Sequence, residues 1–89
     1  MKFTIKKECE LMEVILYTRN RCPLCVDAKS ILQYLQKEYR FQIIERDIEK
    51  SDEWTEKFGL MIPVVEIDGE IIQYGIIDTF TIEEKLNHL

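Results

Sequence analysis

The sequence predicts a single α/β domain in which a parallel pair of strands and a β-hairpin share one sheet covered by helices. The apolar run at 14–17 is followed by a helical pattern and by a second apolar run at 41–44, as in a β-α-β unit. Two later apolar runs flank Asp68-Gly69, a strong hairpin signal. The 89 residues, 46% of them apolar, suit one hydrophobic core. The predicted element order is therefore β-α-β-α-β-β-α.

The first strand and the first helix are predicted from a change in apolar period. Residues 12–18 read MEVILYT, a β-branched and aromatic run typical of a buried strand. From Pro23 onward the apolar residues recur every three or four positions, at Ala28, Ile31, Leu32, Leu35 and Tyr39. This spacing predicts an amphipathic helix of about four turns that packs on the sheet through one stripe.

A second strand and a short second helix are expected next. A right-handed crossover makes the strand at 41–44 parallel to the first strand. Ser51 is expected to cap a short helix that buries Trp54 and Phe58, since residues four apart share a helix face. Gly59 is expected to end this helix by adopting a positive φ.

The hairpin and a last helix complete the predicted domain. Strands are expected at 62–67 and 71–74, paired antiparallel around the Asp-Gly turn. Thr81 and Glu84 have the spacing of a capping box, so Thr81 is expected to cap the last helix. The apolar face of this helix is supplied by Ile82, Leu86 and Leu89.

Two cysteines, Cys22 and Cys25, lie where the first strand gives way to the first helix. A C-x-x-C pair at this place is typical of a thiol-disulfide redox site. If Pro23 takes the first helical position, Cys22 caps the helix, and the unpaired amides and the helix dipole favour its thiolate. Cys25 then lies about one turn further on, within reach of Cys22. Cys22 is therefore the predicted attacking thiol, and Cys25 the resolving thiol.

Half of a structural zinc site is the alternative interpretation of the C-x-x-C pair. Such a site needs four ligands, and the remaining candidates, Cys9 and His88, lie near opposite ends of the chain. We therefore expect no metal. Cys9 is interpreted as a bystander in a terminal extension, with a third redox thiol as the alternative, and His88 as a solvated tail residue.

The cysteine count and the hydropathy predict a compartment. Three cysteines are an odd number, and the sequence has neither a signal-like stretch nor a run of about 20 apolar residues. We therefore expect a reducing cytoplasm and no membrane association. Residues 1–11 are interpreted as an N-terminal extension, with translation from Met12 as an alternative, and residues 12–89 as the folded domain.

The charge distribution argues against nucleic-acid binding, because such binding depends on basic side chains that contact phosphates. The net charge is −5. Residues 1–40 carry eight Lys or Arg and five acids, whereas residues 41–89 carry four and twelve. Arg19 and Arg21 precede the dithiol directly, where they would stabilise a thiolate and attract an anionic substrate. A merely solvated basic loop is the alternative.

Residues 12–89 resemble the thioredoxin fold, and most closely its small glutaredoxin-like branch. The resemblance depends on the strand-loop-CPLC-helix start, the Ile-Pro-Val segment around Pro63, the Asp-Gly hairpin, and Gly75 with Asp78 before the last helix. It implies a four-stranded mixed sheet in the order 3-1-2-4 with helices on both faces. It also implies a cis peptide before Pro63, against the dithiol, where the backbone of Ile62 could pair with an extended substrate.

The same resemblance implies a substrate site around the dithiol. The implied residues are the catalytic set Cys22, Cys25 and Pro63, and, for binding substrate or glutathione, Arg19, Arg21, Pro23, Leu24, Ile62, Gly75 and Asp78. Besides Leu24 in place of the tyrosine of a Cys-Pro-Tyr-Cys motif, the sequence departs from the glutathione-binding pattern at two further places. Met61 replaces a threonine before the Ile-Pro pair, and Tyr74 replaces the first glycine of a Gly-Gly-x-x-Asp turn. A Cβ at this second position obstructs the approach of a peptide carboxylate to main-chain amides.

These features predict a thiol-disulfide oxidoreductase with a redox-active Cys22–Cys25 disulfide. We expect a monomer that reduces protein disulfides or glutathione mixed disulfides, with glutathione or thioredoxin reductase as electron donor and no resident cofactor. One alternative is a redox-sensing or partner-binding module with little turnover. Another is a carrier of an iron-sulfur cluster between two chains, although its monothiol relatives have serine at the position of Cys25. Asp27 is interpreted as solvated, with a proton acceptor for Cys25 as the alternative.

Overall fold

The computed structural model describes residues 12–88, in the predicted order β-α-β-α-β-β-α. The elements are β1 (Met12–Thr18), α1 (Pro23–Leu35), β2 (Phe41–Asp47), a 3₁₀ turn (Ile48–Lys50), α2 (Asp52–Phe58), β3 (Val64–Ile67), β4 (Glu70–Tyr74) and α3 (Thr79–Asn87). The expectations for the extension 1–11, for Cys9 and for Leu89 lie outside the described residues. Within 12–88, no helix is long and apolar enough to cross a membrane.

The four strands form one mixed sheet in the order β2-β1-β3-β4. β1 pairs in parallel with β2 and antiparallel with β3, and β4 pairs antiparallel with β3 at the edge. Exchanging the labels of strands 2 and 3 converts the implied order 3-1-2-4 into this one. β1 is central in both, and β4 lies beside its hairpin partner. The α/β fold class with a thioredoxin-like topology is confirmed.

The conformation of the hairpin turn explains why Asp68 and Gly69 occupy it. Asp68 and Gly69 have φ values of 53° and 78°, and a two-residue turn of type I′ needs positive φ at both central positions. Aspartate and glycine tolerate this region better than other residues. The turn places Ile67 opposite Glu70 and so sets the register of β3 and β4.

Helices cover both faces of the sheet. On one face, α1 and α3 pack against β1 and β3 in a core whose buried members include Leu16, Leu32, Ile67, Ile82 and Leu86. On the other face, α2 and the 3₁₀ turn contribute a smaller cluster of Tyr17, Ile48, Phe58 and Val64. Ile48 is completely buried, and the sequence pattern did not predict the 3₁₀ turn that carries it.

The helix α1 has the expected length of about four turns, but the placement of Tyr39 in it was wrong. The helix ends at Leu35, whose carbonyl accepts hydrogen bonds from the amides of both Glu38 and Tyr39, each 3.0 Å away. These bonds tighten the chain into a turn that brings Phe41 opposite Met12 in the sheet. Tyr39 still packs against the core, which is why it continued the apolar period.

The expected positive φ at Gly59 was also wrong. Gly59 has φ −54° and ψ −31°, so the backbone stays right-handed where α2 ends. A Cβ at this position would lie 2.6 Å from the carbonyl oxygen of Thr55. Glycine is therefore needed for a close backbone approach, and not for a left-handed conformation. Trp54 on the same helix is half-buried, whereas Phe58 is buried as expected.

Candidate active site

Cys22 occupies the N-cap of α1, as predicted. Its backbone is extended, with φ −120° and ψ 99°, and Pro23 takes the start of the helix, where a missing N–H costs nothing. The Cys22 Sγ accepts a hydrogen bond from the backbone N–H of Cys25 at 3.1 Å. A sulfur in this place meets the unpaired amides and the positive end of the helix dipole, which favour a thiolate.

The two cysteines form a disulfide and differ in burial. Their Cα atoms lie 5.2 Å apart, across the three-residue sequence separation of the C-x-x-C motif. Cys22 is half-buried, whereas Cys25, in the first turn of α1, is only 5% exposed. An attacking thiol must reach an incoming disulfide, and a resolving thiol has only to reach its neighbour. The asymmetry therefore fits the predicted roles.

A cleft of about 710 Å³, here called the basic cleft, opens on one side of the dithiol. Its lining includes Arg19, Arg21, Cys22, Pro23, Lys29 and Glu45. Lys29 is held by Glu45 at 3.1 Å. Arg21 is exposed and adopts a positive φ of 59°, which directs the chain from β1 into α1. Three of the predicted site residues, Arg19, Arg21 and Pro23, are thus brought together with the cysteines on this side.

The Arg19 side chain contacts elements on the opposite face of the sheet. Its Nη2 donates to the carbonyl of Gly59 at 3.4 Å, and its Nε lies 3.8 Å from a carboxylate oxygen of Glu49. The side chain therefore links the loop before Cys22 to the end of α2 and to the 3₁₀ turn. Arg21, which takes part in no ion pair within residues 12–88, is the more available cation.

A second depression of about 410 Å³, here called the apolar groove, lies beside Leu24, the residue that directly precedes Cys25. It is lined by Leu24, Asp27, Ser30, Ile31, Gly75, Ile76 and Ile77. The Gly75 amide donates to the carbonyl of Pro63 at 2.8 Å. The Ile62-Pro63 peptide is cis, as the resemblance implied. Leu24 and Gly75 thus share a groove, although they lie 51 positions apart in the sequence.

Ile62 does not offer a free amide to an added strand. Its N–H donates to the carbonyl of Phe58 at 3.2 Å, and its side chain packs against the cluster around Tyr17. β3 accordingly begins at Val64, two residues later than the sequence pattern predicted. A substrate that paired with Ile62 through both backbone groups would have to displace the bond to Phe58.

Asp78 caps α3, so the expectation that Thr81 is the cap was wrong. The Asp78 carboxylate accepts from the Thr81 amide at 2.7 Å, and a carboxylate oxygen also accepts from the Gln73 side chain at 2.9 Å. The Asp78 amide donates back to Gln73 at 2.9 Å. Hydrogen bonds from Gln73, and then from Thr81, hold the pKa of Asp78 below its ordinary value of 3.8.

Replacing Asp78 with alanine is expected to lower the melting temperature by a few degrees at pH 7, because the cap of α3 is lost. The native pKa lies below the unfolded value, so the charged cap stabilises the fold above pH 3.8 and less as pH falls through the native pKa. Thermal melts from pH 7 to pH 2 should therefore show that the gap between the melting temperatures of the wild type and Asp78→Ala shrinks in acid. Asp78→Asn is the control that keeps a neutral cap. A gap of constant size would contradict this assignment.

The sequence pattern did not predict that Tyr17, a buried tyrosine near the end of β1, is the centre of a polar cluster. The Tyr17 hydroxyl donates to Glu66 at 3.0 Å and accepts from Arg46 at 3.1 Å, and the Arg46 guanidinium lies 5.2 Å from the Trp54 ring centre. Burial, followed by the hydrogen bond to Glu66, raises the pKa of Tyr17. These contacts anchor the strand end from which the dithiol loop leaves. Arg46 lies opposite Tyr17 in the register of β1 and β2, so the two residues meet only when the sheet has formed.

Comparisons with known proteins agree with this fold. A family model described as "Glutaredoxin-like domain (DUF836)" matches residues 13–87. Protein Ne2328 from Nitrosomonas europaea superposes with a TM-score of 0.78 at 23% identity, over 86% of this chain and 93% of that one. Protein XcR50 from X. campestris gives 0.72 at 20% identity, over 85% and 97%.

A thioredoxin structure also matches. Oxidised mitochondrial thioredoxin 3 from Saccharomyces cerevisiae superposes with a TM-score of 0.61 at 20% identity, over 97% of this chain and 89% of that one. These structural similarities show the fold, and the family model covers almost the whole of it. The chain belongs to the glutaredoxin-like domain family.

Proposed function

We propose that the protein is a glutaredoxin-like thiol-disulfide oxidoreductase that reduces protein disulfides or glutathione mixed disulfides. The Cys22 thiolate attacks one sulfur of the substrate disulfide, a mixed disulfide forms, and the other substrate half leaves as a thiolate. Cys25, after losing its proton, attacks the Cys22 sulfur and releases the remaining half as a thiolate. The substrate gains two electrons, and the protein is left as the Cys22–Cys25 disulfide.

One observation carries this proposal: the Cys22 sulfur, at the start of α1, accepts the Cys25 amide hydrogen at 3.1 Å. A bond that stabilises a thiolate also improves Cys22 as a leaving group when the protein disulfide is reduced again. Arg21 in the basic cleft adds positive charge on the same side. The arrangement thus supports both halves of a catalytic cycle, whereas a structural disulfide would need neither a helix N terminus nor an open cleft.

The proposed setting follows from this chemistry. The cycle uses no resident metal or organic cofactor, because sulfur carries the electrons. Two molecules of glutathione, or a thioredoxin reductase, would reduce the disulfide to the dithiol. We place the protein in the cytoplasm as a monomer, where it would carry electrons between thiols and contribute to cell redox homeostasis.

The test is reduction of a model mixed disulfide with two electron donors supplied in turn. Glutathione with glutathione reductase is one donor system, and thioredoxin reductase with NADPH is the other. Multiple turnovers with at least one donor are expected, and the comparison identifies the donor. If neither donor supports turnover while the dithiol oxidises only slowly, the redox-sensing module is favoured and the proposed enzyme is wrong.

The reactivity of Cys22 gives a second prediction. In a Cys25→Ser background, alkylation of Cys22 by iodoacetamide at pH 7 should reach at least about half of its high-pH rate, because the helix terminus stabilises the thiolate. A free cysteine would show only a few per cent thiolate at this pH. Adding Arg21→Ala should lower the neutral-pH rate about two- to threefold. Arg40→Ala is the matched control, since Arg40 precedes β2 at the opposite end of the sheet. Equal effects of the two substitutions would contradict a role for Arg21.

A further inference from the structure

We infer that the apolar groove selects the substrate. Its occupant is an extended segment of a protein disulfide that carries aliphatic side chains beside the cysteine attacked by Cys22, in preference to glutathione. This inference deepens the proposed function and rests on it, because the segment is held at Cys22 during the reaction. The groove adjoins the dithiol through Leu24, which follows Pro23 in the C-x-x-C motif, directly precedes Cys25 and lines the groove.

Exposed apolar side chains mark the groove as a contact surface. Ile76 is 74% exposed and Leu24 is 44% exposed, yet both line the same depression. Ile31 and Ile77 form its more buried part. Covering apolar surface of this kind with another apolar group removes it from water and so favours binding. A side chain next to the substrate cysteine is brought to this place by the mixed disulfide, without any further anchor.

The charges of the groove disfavour glutathione. Asp27 is the single charged residue of its lining, so the groove contains a carboxylate and no cation. Glutathione carries two carboxylates and one ammonium group; Asp27 would attract the ammonium group but repel the two carboxylates, and the groove has no cation to hold them. An aliphatic segment without acidic residues meets no such repulsion.

The acidic residue after Gly75 is already engaged. The Asp78 carboxylate accepts hydrogen bonds from both the Thr81 amide and the Gln73 side chain. Using it to hold an ammonium group would compete with the cap of α3. The exposed Ile76, two positions before this cap, lines the groove instead. The surface is therefore better suited to an aliphatic side chain than to the charged ends of a tripeptide.

The experiment measures single turnovers, so that no external donor enters. Protein reduced at Cys22 and Cys25 is mixed with homodisulfides of two capped peptides, Gly-Ile-Cys-Ile-Gly and Gly-Gly-Cys-Gly-Gly, or with oxidised glutathione. The released thiol is measured after acid quenching. Each rate is divided by the rate of the same disulfide with dithiothreitol, which corrects for its intrinsic reactivity. We expect a corrected rate about tenfold higher for the isoleucine peptide than for either other disulfide.

Two variants locate the preference on the surface. Ile76→Thr keeps the branched shape but removes apolar surface, and it should reduce the tenfold ratio to about twofold. Leu60→Thr is the control, because Leu60 is an exposed apolar residue after α2 that belongs to neither cleft. It should leave the ratio near ten. Both positions are exposed, so neither substitution threatens folding.

The outcomes separate this inference from the proposed function. Equal corrected rates for all three disulfides, or faster reduction of oxidised glutathione, would overturn the inference and leave the oxidoreductase intact. A ratio that falls equally in Ile76→Thr and Leu60→Thr would also overturn it. If the reduced protein attacks none of the disulfides, both the proposed function and the inference fail.

Discussion

Replacing Cys22 with serine is expected to abolish turnover, with a loss of at least about 10³-fold, because a serine hydroxyl is not ionised at neutral pH and cannot form the mixed disulfide. The fold should survive the change. Serine is a strong N-cap residue, so its oxygen can accept the Cys25 amide hydrogen that now reaches the sulfur at 3.1 Å. The variant therefore removes the chemistry and keeps the start of α1.

Cys25→Ser is the matched variant. It retains the attacking thiolate but lacks the buried resolving thiol, so a stoichiometric mixed disulfide at Cys22 should accumulate with a protein substrate. Mass spectrometry under non-reducing conditions detects this adduct. The pair of variants distinguishes attack from resolution. Retained disulfide reduction in Cys22→Ser, with its circular dichroism unchanged, would contradict the proposed mechanism.

Replacing Phe58 with alanine is expected to lower the free energy of unfolding by about 3–5 kcal/mol, because the substitution removes a buried ring and leaves a cavity. Phe58 is 2% exposed, and its ring centre lies 4.3 Å from that of Tyr17 on the sheet. For a domain of this size the melting temperature should fall on the order of 15 °C or more. Urea unfolding and thermal melts measure both quantities.

Phe80→Ala is the matched control, since Phe80 lies on α3 with 71% of its surface exposed. Its loss should change stability by less than about 0.5 kcal/mol. The Phe58 carbonyl also accepts hydrogen bonds from the amides of Met61 and Ile62, so the loop before Pro63 begins at this residue. Similar effects of the two substitutions would show that the α2 face contributes little to stability.

Local patterns in the sequence determined most of the fold. The change from strand to helix period at Pro23, the hairpin around Asp68-Gly69 and the N-cap at Cys22 were all predicted, and the structure contains each of them. These features depend on residues within one or two turns of each other. The wrong expectations occurred where tertiary contacts overrule such patterns. Tyr39 continues the helical period, but the chain turns to place Phe41 in the sheet.

The two wrong expectations about helix ends, at Thr81 and at Gly59, have related causes. Thr81 and Asp78 both suit a helix start, and the Gln73 side chain on β4, which bonds to both the amide and the carboxylate of Asp78, favours the earlier residue. Gly59 looks like a left-handed helix stop, yet its role is to avoid the Thr55 carbonyl. A pattern can identify a residue that suits a task, but the choice between two such residues needs the surrounding contacts.

The sequence by itself determined the chemistry of the site, because a C-x-x-C pair at the start of a helix needs only local geometry to bring two sulfurs and a helix terminus together. Tertiary structure decided the surroundings. It turned Arg19 towards Gly59 and left Arg21 to the basic cleft, and it engaged Asp78 in capping. It also joined Leu24 to Ile76 in one groove. These residues meet only when β1, α1 and the segment after β4 have packed, so their roles depend on distances that no local pattern contains.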